Sequence, residues 1–215
     1  MIFHNRTEAG EKLARELRSL GLFNPFVLAI PRGGVPVGSV VAKALGCPFD
    51  VIPLVKVPIP WNPEASYGAV AVDGTMALNM PLIHRLELSE REIEMAAQKV
   101  MQEVERRAQL YRNNKPFPFL EQKSVIIVDD GLGSGYSMLA AADFVKKKNP
   151  RLIVAATPVA SDTAYRMLAT KRQIDKLLTL VRDPEQVFSF SSYFKDFTPL
   201  TDDDVVRCLA SAAGA

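Results

Sequence analysis

V-I-I-V-D-D-G-L-G-S-G-Y-S occupies residues 125–137. Four apolar residues without alternation suit a strand buried on both faces. They run into two adjacent carboxylates, Asp129 and Asp130, and then into a loop with glycines at 131, 133 and 135. The acids suit a hydrogen-bond donor or a cation, whereas a glycine loop that opens a helix suits an anion. A P-loop would need G-x-x-x-x-G-K-[ST], and this loop is too short and lacks the lysine. A dinucleotide fingerprint G-x-G-x-x-G fits Gly131 and Gly133 but meets Tyr136 at its third glycine, and the acids would repel a diphosphate beside them. A third reading uses both halves. Backbone N–H groups of Gly133, Ser134 and Gly135, with the hydroxyls of Ser134 and Ser137, hold a phosphate monoester at a helix N-terminus. Asp129 and Asp130 accept hydrogen bonds from a vicinal diol. A phosphate and a diol on one small molecule describe a ribose 5-phosphate.

The flanking sequence alternates strands and helices. Residues 7–20 read as a helix capped by Thr7, with Ala9, Leu13, Ala14, Leu17 and Leu20 on one face. F-V-L-A-I (26–30) is a second unalternating apolar run, ends in P-R-G-G (31–34) and leads into a helix over 35–45. D-V-I-P-L-V-K-V (50–57) reads as a strand, with Pro53 marking an edge or a bulge. P-I-P-W-N-P-E-A-S (58–66) carries three prolines and reads as irregular. Y-G-A-V-A-V (67–72) and M-A-L-N (76–79) form a hairpin around Asp73-Gly74. Residues 89–112 make the longest helix, opened by a Ser89–Glu92 capping box. Ile93, Ala97, Val100, Met101, Val104, Ala108 and Tyr111 form its apolar stripe. After residue 137 come a helix to about Lys148, a strand over 151–159, a short strand over 177–181 and a terminal helix from about Asp202. This order predicts an α/β fold, a mostly parallel sheet flanked by helices. Residues 1–215 read as a single domain, with a small hood lobe built from terminal segments and insertions.

Composition narrows the function classes. The chain has 215 residues, 48% hydrophobic and 23% charged, with a formal net charge of +2. That balance argues against nucleic acid or an anionic membrane as partner. No apolar run approaches the ~20 residues of a membrane helix. The N-terminal M-I-F-H-N-R-T-E-A-G lacks an apolar signal core, and Cys47 and Cys208 lack metal-type spacing. The expectation is a cytoplasmic protein with reduced thiols.

Residues 125–137 resemble the phosphoribosyl pyrophosphate signature of type I phosphoribosyltransferases: four apolar residues, two acids, then a short loop of small and hydroxylated residues. A-I-P-R-G-G-V-P-V-G, N-P-E-A-S-Y-G-A-V, D-D-G-L-G-S-G-Y-S-M and Y-F-K-D-F, in that order, are more narrowly similar to stand-alone bacterial phosphoribosyltransferase-like proteins. The resemblance implies a parallel sheet with a variable hood, and a homodimer. It implies that Asp129 and Asp130 hold the ribose hydroxyls. Residues Gly131, Leu132, Gly133, Ser134, Gly135, Tyr136 and Ser137 would form the 5-phosphate loop, and Arg32, Gly33 and Gly34 the pyrophosphate loop. Lys56 to Gly68 lies where the family has a mobile loop, which would place Lys56, Trp61, Glu64 and Tyr67 near the substrate. The implied reaction transfers the phosphoribosyl group from phosphoribosyl pyrophosphate to a nitrogenous acceptor, with Asp129, Asp130, Arg32 and Lys56 as its principal groups. The implied cofactor is Mg²⁺, bridging diphosphate and ribose hydroxyls, with Asp129 and Asp130 as candidate protein ligands.

The sequence departs from the family pattern in the loop. Hypoxanthine-type members usually carry an Asp where Gly133 stands, so that acceptor loses support. Gly133-Ser134 replaces the usual Thr pair, and Tyr136, which faces either ligand or core, replaces a small residue. Glu64 is a candidate general base, and Trp61 either closes over a base or packs against the hood. The alternative function is a regulator or sensor that keeps the ribose-phosphate pocket without catalysis. Retention of both acids and Arg32, and the lack of a helix-turn-helix extension, favour the enzyme.

Overall fold

The computed structural model describes residues 1–113, 115–184 and 189–213, without the side chains of Phe190 and Ala213. Five strands form the central sheet: β1 (Pro25–Ala29), β2 (Phe49–Val51), β6 (Ser124–Val128), β7 (Leu152–Ser161) and β8 (Lys176–Asp183). Their order is β2-β1-β6-β7-β8, and every pairing is parallel. Successive side chains on these strands point to opposite faces. Phe26, Leu28, Val125, Ile127, Ile153 and Ala155 pack on one face, beneath α5 (Tyr136–Lys146). Val27, Ile126, Val128, Val154 and Ala156 pack on the other, against α1 (Arg6–Arg18) and α2 (Gly34–Leu45). Burial on both faces explains why the strand sequences do not alternate.

The second sheet is antiparallel, β3 (Leu54–Ile59), β4 (Asn62–Ala71) and β5 (Met76–Leu78). It belongs to one internal stretch that continues through α3 (Met80–Arg85) and α4 (Glu90–Arg112). Val57, Tyr67, Val70, Ile83, Val100 and Val104 make the core of this lobe. Ala69, Ala71 and Ala77 face the other way and join the central core. Of the two chain ends, α1 packs on the central sheet and α7 (Asp202–Ala213) against α2 and α4.

Several expected elements shift. The stretch 50–57 is two strands in two sheets, because Pro53 has no N–H to continue a ladder and the chain leaves the sheet edge there. The stretch 58–66 is not irregular: β3 and β4 pair across it, with register shifts at Pro58 that absorb the prolines. Asn5, not Thr7, caps α1, its side chain accepting from Glu8 N at 3.0 Å. Two short helices had no expectation, α3, capped by Asn79, and α6 (Asp162–Ala169), capped by Ser161. The Ser89–Glu92 capping box is present. Both cysteines are free, and burial pushes the Cys47 thiol up to about 11. Among the described residues no helix is long and apolar enough to cross a membrane.

Candidate active site

The chain runs outward from β1 to β2 and later returns to β6 on the other side of β1. Strand order therefore reverses between β1 and β6, and ligands of parallel sheets bind in the crevice beyond the carboxyl ends at such a switch point. Two loops leave there side by side. Ala29 is paired with Val128, and Ile30 N donates to Val128 O at 2.9 Å. The next residues are Pro31–Gly34 on one strand and Asp129–Gly135 on the other.

The P-R-G-G loop packs directly on the acid pair. A Cβ on Gly33 would fall 2.1 Å from Asp130 Oδ2, and one on Gly34 2.5 Å from Val128 O. Only glycine fits this approach, which brings the two expected anion and diol loops together. The Pro31–Arg32 peptide is cis. The acid loop is held from its far side as well. Leu132 N donates to Val159 O, Ser161 N to Leu132 O, and Ser161 Oγ to Gly133 O at 2.6 Å. Gly135 then takes a left-handed conformation, φ +82°, and starts α5 with no side-chain cap. A β-carbon there would also meet Met167 Cε at 2.7 Å. Residues 133–137 thus present an uncapped helix N-terminus, with the positive end of its dipole toward the cleft.

Arg32, Gly33, Lys56, Arg107, Asp129 and Asp130 meet in a cleft of about 400 Å³, with Gly131 and Ser137 in its wall. A smaller pocket of about 210 Å³ adjoins it, where Lys56, Ser66, Gly133, Ser134, Gly135 and Ser137 converge. Leu132 reaches its wall but is anchored in the core. Asp129 belongs to both spaces. Its Oδ1 accepts from Asp130 N at 2.9 Å. Burial, then the charge of Asp130, raises the Asp129 carboxyl well above its ordinary range, while the Lys56 charge pulls it down. Asp130 is 9% exposed and pairs with Arg6 Nε at 2.8 Å.

Two expected site residues turn inward, and two lie outside the cleft. Tyr67 is 1% exposed and fills the core of the small lobe, because the β4 register turns it away from the cleft. Tyr136 packs against the central core, one residue past the turn at Gly135. Trp61, 63% exposed, and Glu64 stand at the turn end of the β3–β4 hairpin and line neither space. Conversely, Arg6, Pro63, Ser66 and Arg107 were not expected. Arg107 reaches the cleft from α4, bonded to Glu103 at 2.7 Å. Its signal was the polar flank of the α4 stripe, which reads equally as solvated surface.

The donors also bear on Mg²⁺. Among the described residues no group of three or more His, Cys, Asp or Glu could form a protein cage. Mg²⁺ characteristically takes one or two carboxylates plus substrate phosphates and water, and the Asp129–Asp130 pair fits that requirement.

Comparison with known proteins agrees with this geometry. Residues 2–195 match the family model described as phosphoribosyl transferase domain. A Mycobacterium tuberculosis protein, "Putative phosphoribosyl transferase Rv0571c", is 32% identical over 211 residues, 98% of this chain and 47% of the relative. The chain thus spans about half the length of the curated relatives it matches. Among solved structures, TT1426 from Thermus thermophilus is 37% identical, with a TM-score of 0.79 over 98% of this chain and 99% of that one. A purine phosphoribosyltransferase from Pyrococcus horikoshii shares the fold at 16% identity, with a TM-score of 0.51 over 94% and 95% of the two chains. With the acid pair, the glycine loop and the parallel sheet in the matched region, the chain belongs to the phosphoribosyl transferase domain family.

Proposed function

We propose that the chain is a phosphoribosyltransferase that uses phosphoribosyl pyrophosphate with Mg²⁺ as donor and transfers the phosphoribosyl group to a nitrogenous acceptor. The observation that carries this reading is the juxtaposition at one switch point of an acid pair, an uncapped helix N-terminus and a glycine loop bearing Arg32. The 5-phosphate sits on the backbone of residues 133–137, with Ser134 and Ser137 as hydroxyl donors. Asp129 and Asp130 accept from the ribose diol. That orientation directs the anomeric carbon and its diphosphate toward Arg32 and Gly33.

In the reaction the bond from the anomeric carbon to the diphosphate oxygen breaks, a bond to the acceptor nitrogen forms, and the proton carried by that nitrogen is released to water. Positive charge develops on the ribose, and the two carboxylates lie beside it. Arg32, Lys56 and Arg107 attract the departing diphosphate. Asp129 and Asp130 would hold Mg²⁺, which would supply neutralisation of the diphosphate charge. The same family reading carries a homodimer and a cytoplasmic location.

The test is pyrophosphate release from phosphoribosyl pyrophosphate and Mg²⁺ with a panel of purine, pyrimidine and other amine acceptors. Release with one acceptor class is expected. Tight donor binding without release for any acceptor would instead make the chain a ribose-phosphate sensor. Absence of donor binding would overturn both.

A further inference from the structure

We propose that Arg6 is a positioning residue of this site, clamping Asp130 so that the diol meets one fixed and one freer carboxylate. The inference rests on the reading that the acid pair binds the ribose. Asp130 is wedged between two surfaces. On one side lies the Gly33 backbone, where an added Cβ would come within 2.5 Å of both carboxylate oxygens and the carbon between them. On the other is Arg6, whose Nε donates to Oδ2 at 2.8 Å, with the two side chains only 11% and 13% exposed. One oxygen of Asp130 is therefore committed, and Oδ1 is left to accept a ribose hydroxyl. Among the described residues Asp129 makes no such ion pair, and it borders both the cleft and the smaller pocket beside it.

Arg6 is itself seated with care. Its guanidinium carbon stands 4.0 Å from the centre of the Phe197 ring, and Nη1 donates to Thr198 O at 3.0 Å. Phe197 packs on Phe194 at 5.0 Å, and Phe194 on Phe3 at 5.4 Å. Backbone bonds join the same segments: Phe3 N to Tyr193 O, Lys195 N to Phe3 O and Asp196 N to His4 O. The Y-F-K-D-F motif at 193–197 thus forms a clasp with residues 3 and 4 that delivers Arg6 to Asp130. A planar fork bonded at two nitrogens and stacked on a ring is pre-organised in a way an ammonium is not. It also places a positive charge beside one of two adjacent carboxylates, easing their mutual repulsion.

Two calorimetric titrations of Arg6→Ala test this, one with phosphoribosyl pyrophosphate and Mg²⁺, the other with inorganic pyrophosphate, which has no diol. Loss of one charge-assisted positioning bond predicts about tenfold weaker binding of the first probe. Pyrophosphate affinity should stay unchanged, and Arg6→Lys should restore only part of the loss. Equal weakening of both probes would mean a merely structural role, and no weakening of either would also overturn the proposal. If Arg6→Ala does not fold, Phe197→Ala keeps the charge and removes its seat. That variant should weaken the diol probe alone, and an unchanged affinity would count against the clamp. A wild-type protein that binds neither probe would overturn the proposed function itself. Wild-type binding with indifferent variants would overturn only the role of Arg6.

Discussion

The loop after β6 and the β3–β4 hairpin face each other across one cleft, yet they hold their polar groups in different ways. In the loop, the cleft-facing groups are backbone N–H and two carboxylates, held by contacts from neighbouring segments. Gly33 presses on Asp130, and Ser161 holds Gly133. In the hairpin, Lys56, Pro63 and Ser66 reach the same space as side chains of an antiparallel pair that ends in the exposed Trp61. Stability and recognition are therefore distributed differently. On the proposed reading the loop supplies recognition at a cost in electrostatic free energy, and the hairpin keeps its stability in residues that face away from the cleft.

The largest effect should come from the buried side of the hairpin. Tyr67→Ala should cost ~3–5 kcal/mol of stability in denaturant unfolding, as an emptied aromatic core position does. Trp61→Ala, six residues earlier on the same hairpin, should stay within ~0.5 kcal/mol. Similar costs for the two would erase the distinction between the core of the hairpin and its tip.

Next comes the acid pair. Asp129→Asn with Asp130→Asn should weaken phosphoribosyl pyrophosphate binding on the order of a hundredfold, since two charge-assisted acceptors are lost. Circular dichroism should show the fold retained. Unchanged calorimetric affinity would remove the diol from this site.

Gly33→Ala should act at an intermediate level. Its β-carbon collides with Asp130, so the loop or the carboxylate must move, and we expect about tenfold weaker donor binding. A variant with wild-type affinity would show that this close approach is not needed for recognition.

The smallest effect is electrostatic. Because the Asp129 carboxyl lies above its ordinary range, the folded state binds more protons than the unfolded chain there. Stability then falls as pH rises from the ordinary carboxylate range through the raised Asp129 value. Asp129→Asn alone should melt higher than wild type at neutral pH, and the gap should close towards pH ~4. A variant that melts lower than wild type at neutral pH would contradict the electrostatic cost assigned to Asp129.

The same contrast explains what could be read from sequence. The strands of the central sheet, Asp129 and Asp130, the P-R-G-G loop and the 133–137 cradle are local signatures, in which residue type and backbone requirement coincide. The hairpin is set by pairing register, which a one-residue slip inverts, so Tyr67 could be named as a ligand-side residue although it is core. Pro58, Pro60 and Pro63 suggested irregular chain, whereas β3 and β4 pair across that stretch with register shifts at Pro58. Arg6 and Arg107 reach the site from elements distant in sequence, and nothing local distinguishes them from surface arginines. Tyr136 shows the limit even within the motif, since the turn at Gly135 sends it to the core.

A crystal structure with ribose 5-phosphate bound would test the division of the site between diol and phosphate. The phosphate is expected on the backbone of residues 133–137 at the start of α5, with the 2- and 3-hydroxyls on Asp129 and Asp130. A sugar bound in the reverse sense, or a phosphate held by Arg32 with the acids unoccupied, would contradict it.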